Sequence, residues 1–276
     1  MDKVVLFKEV RIPFPLIGIP IVNHFNTYVS ALTNSKCVIR TRLSLRRHCN
    51  DENGDTIHEL DDLRKYILNR FNTVLGNIGK ECIEGDLDVQ CDNDLPLILV
   101  LPVLECEISR KLLMIGGTSY THILNIFSNL DTEMLNVDPG YLRSLRCSYL
   151  FKAMCISRGY EDIVHNVDLA LSIENVNRYK CNSKTCTYIS NPYDNYLLSL
   201  LYKLTTHTIS QFIHSLVNNG TVEPWLRNMI RLVYIIESEI IRNSLGIKMN
   251  YPIDEANLYK VIADLNQVVI YRITLS

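Results

Sequence analysis

The sequence predicts an α+β protein of two lobes, in which helices pack on antiparallel sheets. Three observations lead to this prediction. Strand patterns dominate the first third of the chain, helical patterns dominate the remainder, and a last strand pattern ends it. A doubly wound parallel fold would instead alternate strands and helices regularly. We place the boundary between an N-terminal α+β lobe, residues 1–180, and a C-terminal α+β lobe, residues 181–276.

The first lobe opens with segments rich in β-branched residues, the composition of strands. These strands are predicted over residues 3–12, 21–33 and 36–45. Residues 13–20 hold three prolines and a glycine, which predicts a stiff loop between the first two strands. Apolar residues then recur at helical spacing from Leu60 to Leu75, and residues 85–91 alternate like a half-buried strand.

The remaining elements follow from apolar periodicity and from the residues that end helices. Helices are predicted over residues 103–115, 121–130, 139–158, 194–218, 223–245 and 254–265. Strands are predicted over residues 168–174, 185–190 and 267–275. Gly159 is expected to end the third of these helices. Pro224 and Gly246 suit the two ends of the fifth.

Composition excludes several classes of protein. Apolar residues make up 47% of the chain and charged residues 21%, which excludes wholesale disorder. The longest apolar run, residues 95–104, is about half a membrane-spanning helix and contains two prolines. The N-terminus does not resemble a signal peptide. We therefore expect a cytoplasmic protein with no membrane partner.

The charge pattern does not favour a nucleic-acid partner. The formal net charge is −2, whereas nucleic-acid binders usually carry a basic surplus. One basic cluster alternates with other residues like an exposed strand face; its arginines are Arg40, Arg42, Arg46 and Arg47. A solvated strand face is the favoured interpretation, and contact with nucleic-acid phosphates through these arginines is the alternative.

Nine cysteines are scattered along the chain. Without a secretory signal, most are interpreted as small buried hydrophobic residues. Cys181 and Cys186 are close enough in sequence to close a short disulfide loop, and their oxidation state is left open. A structural zinc site would need a second pair, which the spacing does not supply.

Three segments together resemble a known family. Residues 85–91, Asp94-Leu95-Pro96 and the helix from Val103 look like a strand, a Leu-Pro turn and a nucleotide-loop helix. Residues 157–162 are similar to a segment that presents a catalytic aspartate. The tail, LVYIIESEIIRNSLGIKMNYPIDEANLYKVI, is the third segment. This organisation resembles the GHMP kinase superfamily of galactokinase, homoserine kinase, mevalonate kinase and archaeal shikimate kinase.

The resemblance implies a fold and a set of site residues. The N-terminal lobe would be ribosomal S5 domain 2-like and the C-terminal lobe ferredoxin-like. Asp162 would assist phosphoryl transfer as a catalytic base. Its alternative role, together with Glu161, is to start a helix or cap a loop. Asn23 and His24 would bind the acceptor substrate. The nucleotide-loop positions would include Pro96, Glu105 and Cys106.

The chain departs from the family at two glycine-rich motifs. The family loop reads roughly Pro-x-x-x-Gly-Leu-Gly-Ser-Ser-Ala, so that backbone N–H groups reach the phosphates. Here branched residues fill positions 97–101, Pro102 has no N–H, and Glu105 would repel a phosphate. The family's second glycine-rich segment precedes its last strand. The matching residues 263–267 contain no glycine.

These departures lead to two functional hypotheses. The first is a GHMP kinase-like pseudoenzyme with a degenerate nucleotide loop, which has lost normal ATP binding and acts as a non-catalytic binding or regulatory protein. The alternative is a divergent small-molecule kinase that phosphorylates a hydroxylated metabolite of the mevalonate, shikimate or homoserine type. ATP and Mg²⁺ would be its cofactors. A small-molecule ligand and assembly into a homo- or hetero-oligomer are expected in either case.

Overall fold

A computed structural model describes most of the chain. The described residues are 3–21, 27–46, 63–77, 82–92, 95–116, 120–158, 161–167, 169–181, 186, 195–219 and 222–275. Within them, two antiparallel sheets carry six helices, as the sequence predicts for an α+β fold. The boundary proposed from sequence between the two lobes, residues 1–180 and 181–276, stays a prediction.

The larger sheet is formed by the first five strands. They are β1 (Lys3–Ile17), β2 (Thr27–Arg46), β3 (Cys82–Cys91), β4 (Met154–Arg158) and β5 (Glu161–His165). β1 pairs along β2, while β3 and β4 pair with different stretches of β2, and β5 extends the sheet from β4. The length of β2 allows one strand to hold three neighbours, so this strand organises the whole sheet.

The first two strands are longer than their predictions. β1 continues through Pro13 and Pro15, where a loop was predicted. It tolerates both prolines because it lies at an edge of the sheet, and the register shifts beside each proline. The break predicted at residues 34–35 is also wrong, since β2 is a single strand of 20 residues. β1 pairs with residues 29–32 and 36–44 of this strand, on both sides of the predicted break.

The described residues form six helices, five of which contact strands of the sheets. They are α1 (Leu63–Asn77), α2 (Leu97–Gly116), α3 (Tyr120–Leu135), α4 (Pro139–Phe151), α5 (Asn195–Asn219) and α6 (Pro224–Leu245). Residues 98–109 of α2 are all buried, which is expected of a helix enclosed by other elements. In the part of the chain that the structure describes, no helix has the length and apolar character needed to cross a membrane.

α2 begins at Leu97, six residues before its predicted start, and contains Pro102. The proline was expected to precede the helix because it removes an internal hydrogen bond, at a cost of about 3 kcal/mol. Burial of the surrounding apolar side chains, among them Ile98, Leu99 and Leu101, favours the helix despite that cost. The run that was interpreted as a degenerate loop is therefore the first turns of a core helix.

α4 ends at Phe151, well before the predicted end at Gly159. Lys152 adopts a left-handed conformation with φ 52°, and its N–H donates to the carbonyl of Ser148. The following residues form β4, which pairs with residues 27–30 of β2. Tertiary pairing with β2 thus replaces the helical continuation. β5, which was not predicted, pairs with β4 as the next strand of the sheet.

The smaller sheet has the order β6 (Leu171–Lys180), β8 (Gln267–Leu275) and β7 (Leu258–Ala263). β8, α5 and α6 confirm their predictions, and Gly246 ends α6 in a left-handed conformation as expected. The helix predicted over residues 254–265 is wrong, because β7 forms a hairpin with β8. The strand predicted over residues 185–190 lies outside the described residues except for Cys186.

Four helices meet at a buried group of charges, here called the charge cluster. It consists of Arg70 on α1, Glu105 on α2, Asp131 on α3 and Arg146 on α4. Both carboxylates contact both guanidinium groups at N···O distances of 2.6–2.8 Å, and no side chain is more than 2% exposed. Burial lowers the pKa of Arg70, but the carboxylates of Glu105 and Asp131 raise it by more. The pKa of Arg70 is therefore raised overall.

The sequence-based interpretation of most cysteines as small buried hydrophobic residues is wrong, because six of them form disulfides in the described structure. The structure pairs Cys37 with Cys91, Cys147 with Cys155, and Cys181 with Cys186. The first pair joins directly opposed residues of β2 and β3. The second joins α4 to β4. Disulfides are typical of oxidising compartments, and the cytoplasmic location stays a prediction.

The long-range disulfide is expected to matter more than the short one. Cys37→Ala/Cys91→Ala opens a loop with a sequence separation of 54, and Cys181→Ala/Cys186→Ala a loop with a separation of 5. Loop entropy alone predicts losses in unfolding free energy of about 4 and about 2 kcal/mol, respectively. Urea denaturation without reductant measures both variants against the wild type. Equal losses, or reactive thiols at these positions in the native protein, would contradict the assignment.

Candidate functional site

The N-terminus of α2 is bound by a side chain from the smaller sheet, which is formed by β6, β7 and β8. The N–H groups of Leu97 and Ile98 donate to the carboxylate oxygens of Asp264, at 3.1 and 3.0 Å. Asp264 lies in the turn between β7 and β8, is 3% exposed, and also accepts from the side chain of Gln267 at 3.4 Å. The two segments that lack the family's glycines therefore meet in one contact.

An anion is favoured at this position for general electrostatic reasons. The first N–H groups of a helix have no partner within the helix, and the helix dipole places partial positive charge there. The carboxylate of Asp264 supplies both an acceptor and a negative charge. Burial raises the pKa of Asp264, while N–H groups including those of Ile98 and Leu97 act in the opposite direction. A protein carboxylate thus occupies a helix terminus suited to phosphate.

A buried ion pair fixes the neighbouring backbone. Lys260 on β7 binds Glu237 on α6 and donates to the carbonyl of Gly18 at 3.0 Å. The other carboxylate oxygen of Glu237 accepts from the N–H of Gly18 at 2.8 Å. Burial lowers the pKa of Lys260, and Glu237 opposes this shift. The pair therefore links the end of β1 to the smaller sheet, through Lys260 on the strand that leads to Asp264.

Gly18 has no room for a side chain. Its φ is +100°, and a Cβ would lie 2.6 Å from the ring of Tyr28. The glycine therefore allows the chain to turn after β1 while both of its backbone groups bind the Lys260–Glu237 pair.

The predicted nucleotide-loop residues lie within or beside α2. Pro96 is buried directly before the first turn. Glu105 belongs to the charge cluster, so its carboxylate binds two arginines. Cys106 is fully buried in the core. Their cofactor-binding role stays a prediction; Glu105 and Cys106 lie within α2 and not in a loop.

Asp162, the predicted catalytic base, lies on β5 and neither starts a helix nor caps a loop. Its carboxylate accepts from Arg143 at 2.7 Å and from the hydroxyl of Ser157 at 2.5 Å. None of the predicted cofactor residues is among these partners. The predicted substrate residues Asn23 and His24 lie outside the described residues. The structure therefore leaves both roles as predictions.

The arginine strand confirms the predicted alternation, since Arg40 and Arg42 are exposed while Thr41 and Leu43 are buried. β3 places Asp88 opposite Arg40 and Asp86 opposite Arg42. Arg40 lies 3.5 Å from Asp88. Acidic neighbours thus partly compensate the basic strand face.

The described residues contain no group of three or more His, Cys, Asp and Glu side chains arranged to hold a metal ion. The hydroxyl residues that the family places in its loop are replaced here by buried apolar ones. The side chains at the start of α2 therefore do not match the Mg²⁺ that the resemblance implies.

Sequence reasoning missed Asp264, Glu237 and Lys260 as site residues. The hairpin itself carried a local signal: β-branched runs on both sides of Asp264-Leu265-Asn266-Gln267 are typical of a turn between strands. A lysine within the apolar run of β7 also indicated a buried partner.

No protein-family model matches the chain, and no curated protein matches it in sequence. Solved structures do match. The mevalonate diphosphate decarboxylase of Staphylococcus aureus is 10% identical with a TM-score of 0.60, over 98% of this chain and 88% of that chain. The mevalonate kinase of L. major, with R-mevalonate, is 10% identical with a TM-score of 0.56, over 98% and 87%.

A further similar structure is the mevalonate-3-kinase of Thermoplasma acidophilum, at 10% identity and a TM-score of 0.51, over 98% of this chain and 89% of that chain. The likeness extends over nearly the whole length of all three proteins. This chain therefore has the GHMP kinase fold. The fold class predicted from the sequence is confirmed.

Proposed function

We propose that this protein is a non-catalytic, GHMP kinase-like binding or regulatory protein that has lost normal ATP binding. The observation that carries the proposal is the pair of hydrogen bonds from Leu97 and Ile98 to Asp264. Phosphoryl transfer depends on positioning the phosphates before any other step. A protein that uses its phosphate-binding helix terminus internally lacks this first requirement.

Three features oppose a phosphate at this terminus. The N–H groups of Leu97 and Ile98 already have an acceptor, and Asp264 would repel a second anion in a buried environment. The helix begins directly after Pro96, so the residues that follow this proline are helical and do not form a loop. The side chains of Ile98, Leu99 and Leu101 belong to the core and cannot be displaced without exposing apolar surface.

The fold itself supports retention of a binding role. These three similar structures are enzymes that act on mevalonate or its diphosphate, and two of them contain bound mevalonate. A hydroxylated metabolite of that kind is the ligand class of the alternative hypothesis, in which the chain is a divergent kinase. Oligomerisation belongs to the proposal as well, and gel filtration measures it directly.

Equilibrium dialysis with labelled ATP and Mg²⁺ tests the loss of nucleotide binding. The wild type is expected to retain no ATP at concentrations up to about 1 mM, the upper end of ordinary substrate affinities. The S. aureus decarboxylase, which shares the fold, serves as the comparison protein.

Binding of ATP that competes with adenosine, together with phosphate transfer to mevalonate, shikimate or homoserine, would instead establish the kinase alternative. Adenosine is the informative competitor because it lacks phosphates. Its competition identifies a nucleotide pocket rather than a general attraction of anions.

A further inference from the structure

A cavity of about 550 Å³ lies away from the start of α2. Its walls come from β1, the middle of β2, the C-terminal parts of α2 and α4, the start of β4 and the segment after β5. Volumes of roughly 300–1,000 Å³ are typical of small-molecule sites. Arg110, in its wall, lies more than three turns along α2 from Leu97, so the cavity is about 20 Å from that terminus along the helix axis.

The cavity concentrates positive charge. Its cationic residues are Lys8, Arg11, Lys36, Arg110 and Lys152. Glu9 is the acidic residue among the described residues that line it, and it forms an ion pair with Lys36 at 2.6 Å. The whole chain has a net charge of −2, so this gathering of cations is a local feature. Several like charges in a concave surface raise the local concentration of anions.

A buried carboxylate holds part of this wall in place. Glu107 contacts Lys8 and Arg110, each at 2.9 Å, and accepts from the hydroxyl of Tyr149 at 2.6 Å. Burial raises the pKa of Glu107, but hydrogen bonds from Tyr149 and Lys8 outweigh it and the pKa is lowered. Because Glu107 is 5% exposed while both cations are above 40%, the cations remain accessible from the cavity.

Two other cations of the cavity, Arg11 and Lys152, lie at irregular positions of the backbone. Arg11 is an exposed residue of β1 immediately before a register shift against β2. Lys152 is exposed in the left-handed position that ends α4. Among the described contacts, neither forms an ion pair within 4.0 Å. Both side chains are therefore available to an incoming anion.

We propose that this cavity binds a small, multiply charged anion such as a phosphate ester or a polycarboxylate. Lys8 and Arg110, held by Glu107, form one side of the site. Lys152 follows α4 and Arg11 lies on β1, three residues from Lys8; both line the cavity, and Tyr149 and Asn34 add polar groups to the wall. The site does not depend on the loss of ATP binding, because it lies at the other end of α2.

The test compares two charge-matched double variants. Arg11→Gln/Lys152→Gln removes the two cations that lack an ion pair. Lys203→Gln/Lys248→Gln removes two exposed lysines outside the cavity and changes the net charge equally. Pyrophosphate and citrate are the probes, at low ionic strength, with isothermal titration calorimetry as the measurement. They separate phosphate from carboxylate recognition.

The wild type and Lys203→Gln/Lys248→Gln are expected to bind at least one probe with equal affinity, and Arg11→Gln/Lys152→Gln to bind it about tenfold or more weakly. Equal weakening by both double variants would indicate nonspecific attraction and overturn the site. No binding of either probe to the wild type would also overturn it.

The outcome is separable from the nucleotide question. ATP retention that is lost in Arg11→Gln/Lys152→Gln and is not displaced by adenosine would place the triphosphate in this cavity and support the proposal. ATP retention that persists in this variant and is displaced by adenosine would contradict the loss of nucleotide binding, and leave the pyrophosphate and citrate results to decide the anion site.

Discussion

Replacement of Glu105 by alanine is expected to lower the free energy of unfolding by about 3–5 kcal/mol. The wild-type cluster balances two carboxylates against two guanidinium groups, all within 2% exposure. Removal of Glu105 leaves Arg70 and Arg146 sharing Asp131 in a site closed to water. The excess positive charge there has no solvent to stabilise it.

Urea denaturation followed by circular dichroism measures this loss. Glu239→Ala is the matched control, since it removes a carboxylate from an exposed pair with Arg242. Surface pairs contribute about 1 kcal/mol or less. If Glu105→Ala destabilises the protein no more than Glu239→Ala does, the charge cluster is not a buried structural unit.

Lys260→Met is expected to lower the free energy of unfolding by a similar amount, about 3–5 kcal/mol. It leaves the carboxylate of Glu237 buried without its cation and removes the donor to the carbonyl of Gly18. A second change, Glu237→Gln, removes the unpaired charge but keeps an acceptor for the N–H of Gly18. The double variant Glu237→Gln/Lys260→Met should therefore regain about half of the loss or more.

The same denaturation measurement separates these variants. Arg272→Met, which removes the cation of the exposed Glu174–Arg272 pair, is the control and should change stability by about 1 kcal/mol or less. A double variant that is no more stable than Lys260→Met would contradict the assignment of the loss to the uncompensated charge of Glu237.

Elements with strong periodicity and local end signals could be predicted from the sequence. α6 is an example, because Pro224 lies in its first turn and Gly246 adopts the left-handed conformation just after its end. β3 and β8 followed from alternation and β-branched composition. In these segments local preference and tertiary environment favour the same conformation.

Segments decided by distant partners were mispredicted. Residues 154–158 continue a helical pattern in sequence, but pairing with residues 27–30 makes them a strand. Residues 258–263 are a strand because β8 lies beside them. The early start of α2 at Leu97 depends on burial and on Asp264, neither of which a local pattern contains.

Only part of the candidate site could be predicted, because the rest depends on contacts between residues that are distant in sequence. The absence of glycine from residues 97–101 and 263–267 is visible in the sequence and led to the hypothesis of lost ATP binding. That the two segments touch is not visible, because Leu97 and Asp264 are 167 residues apart. Only the folded chain shows that one of these glycine-free segments supplies the carboxylate bound by the other.

A crystal structure determined with Mg²⁺ and a non-hydrolysable ATP analogue at saturating concentration tests the central claim most directly. We predict that the carboxylate of Asp264 stays hydrogen bonded to the N–H groups of Leu97 and Ile98, with no phosphate at the start of α2. A phosphate bound to those N–H groups, with Asp264 displaced, would contradict it.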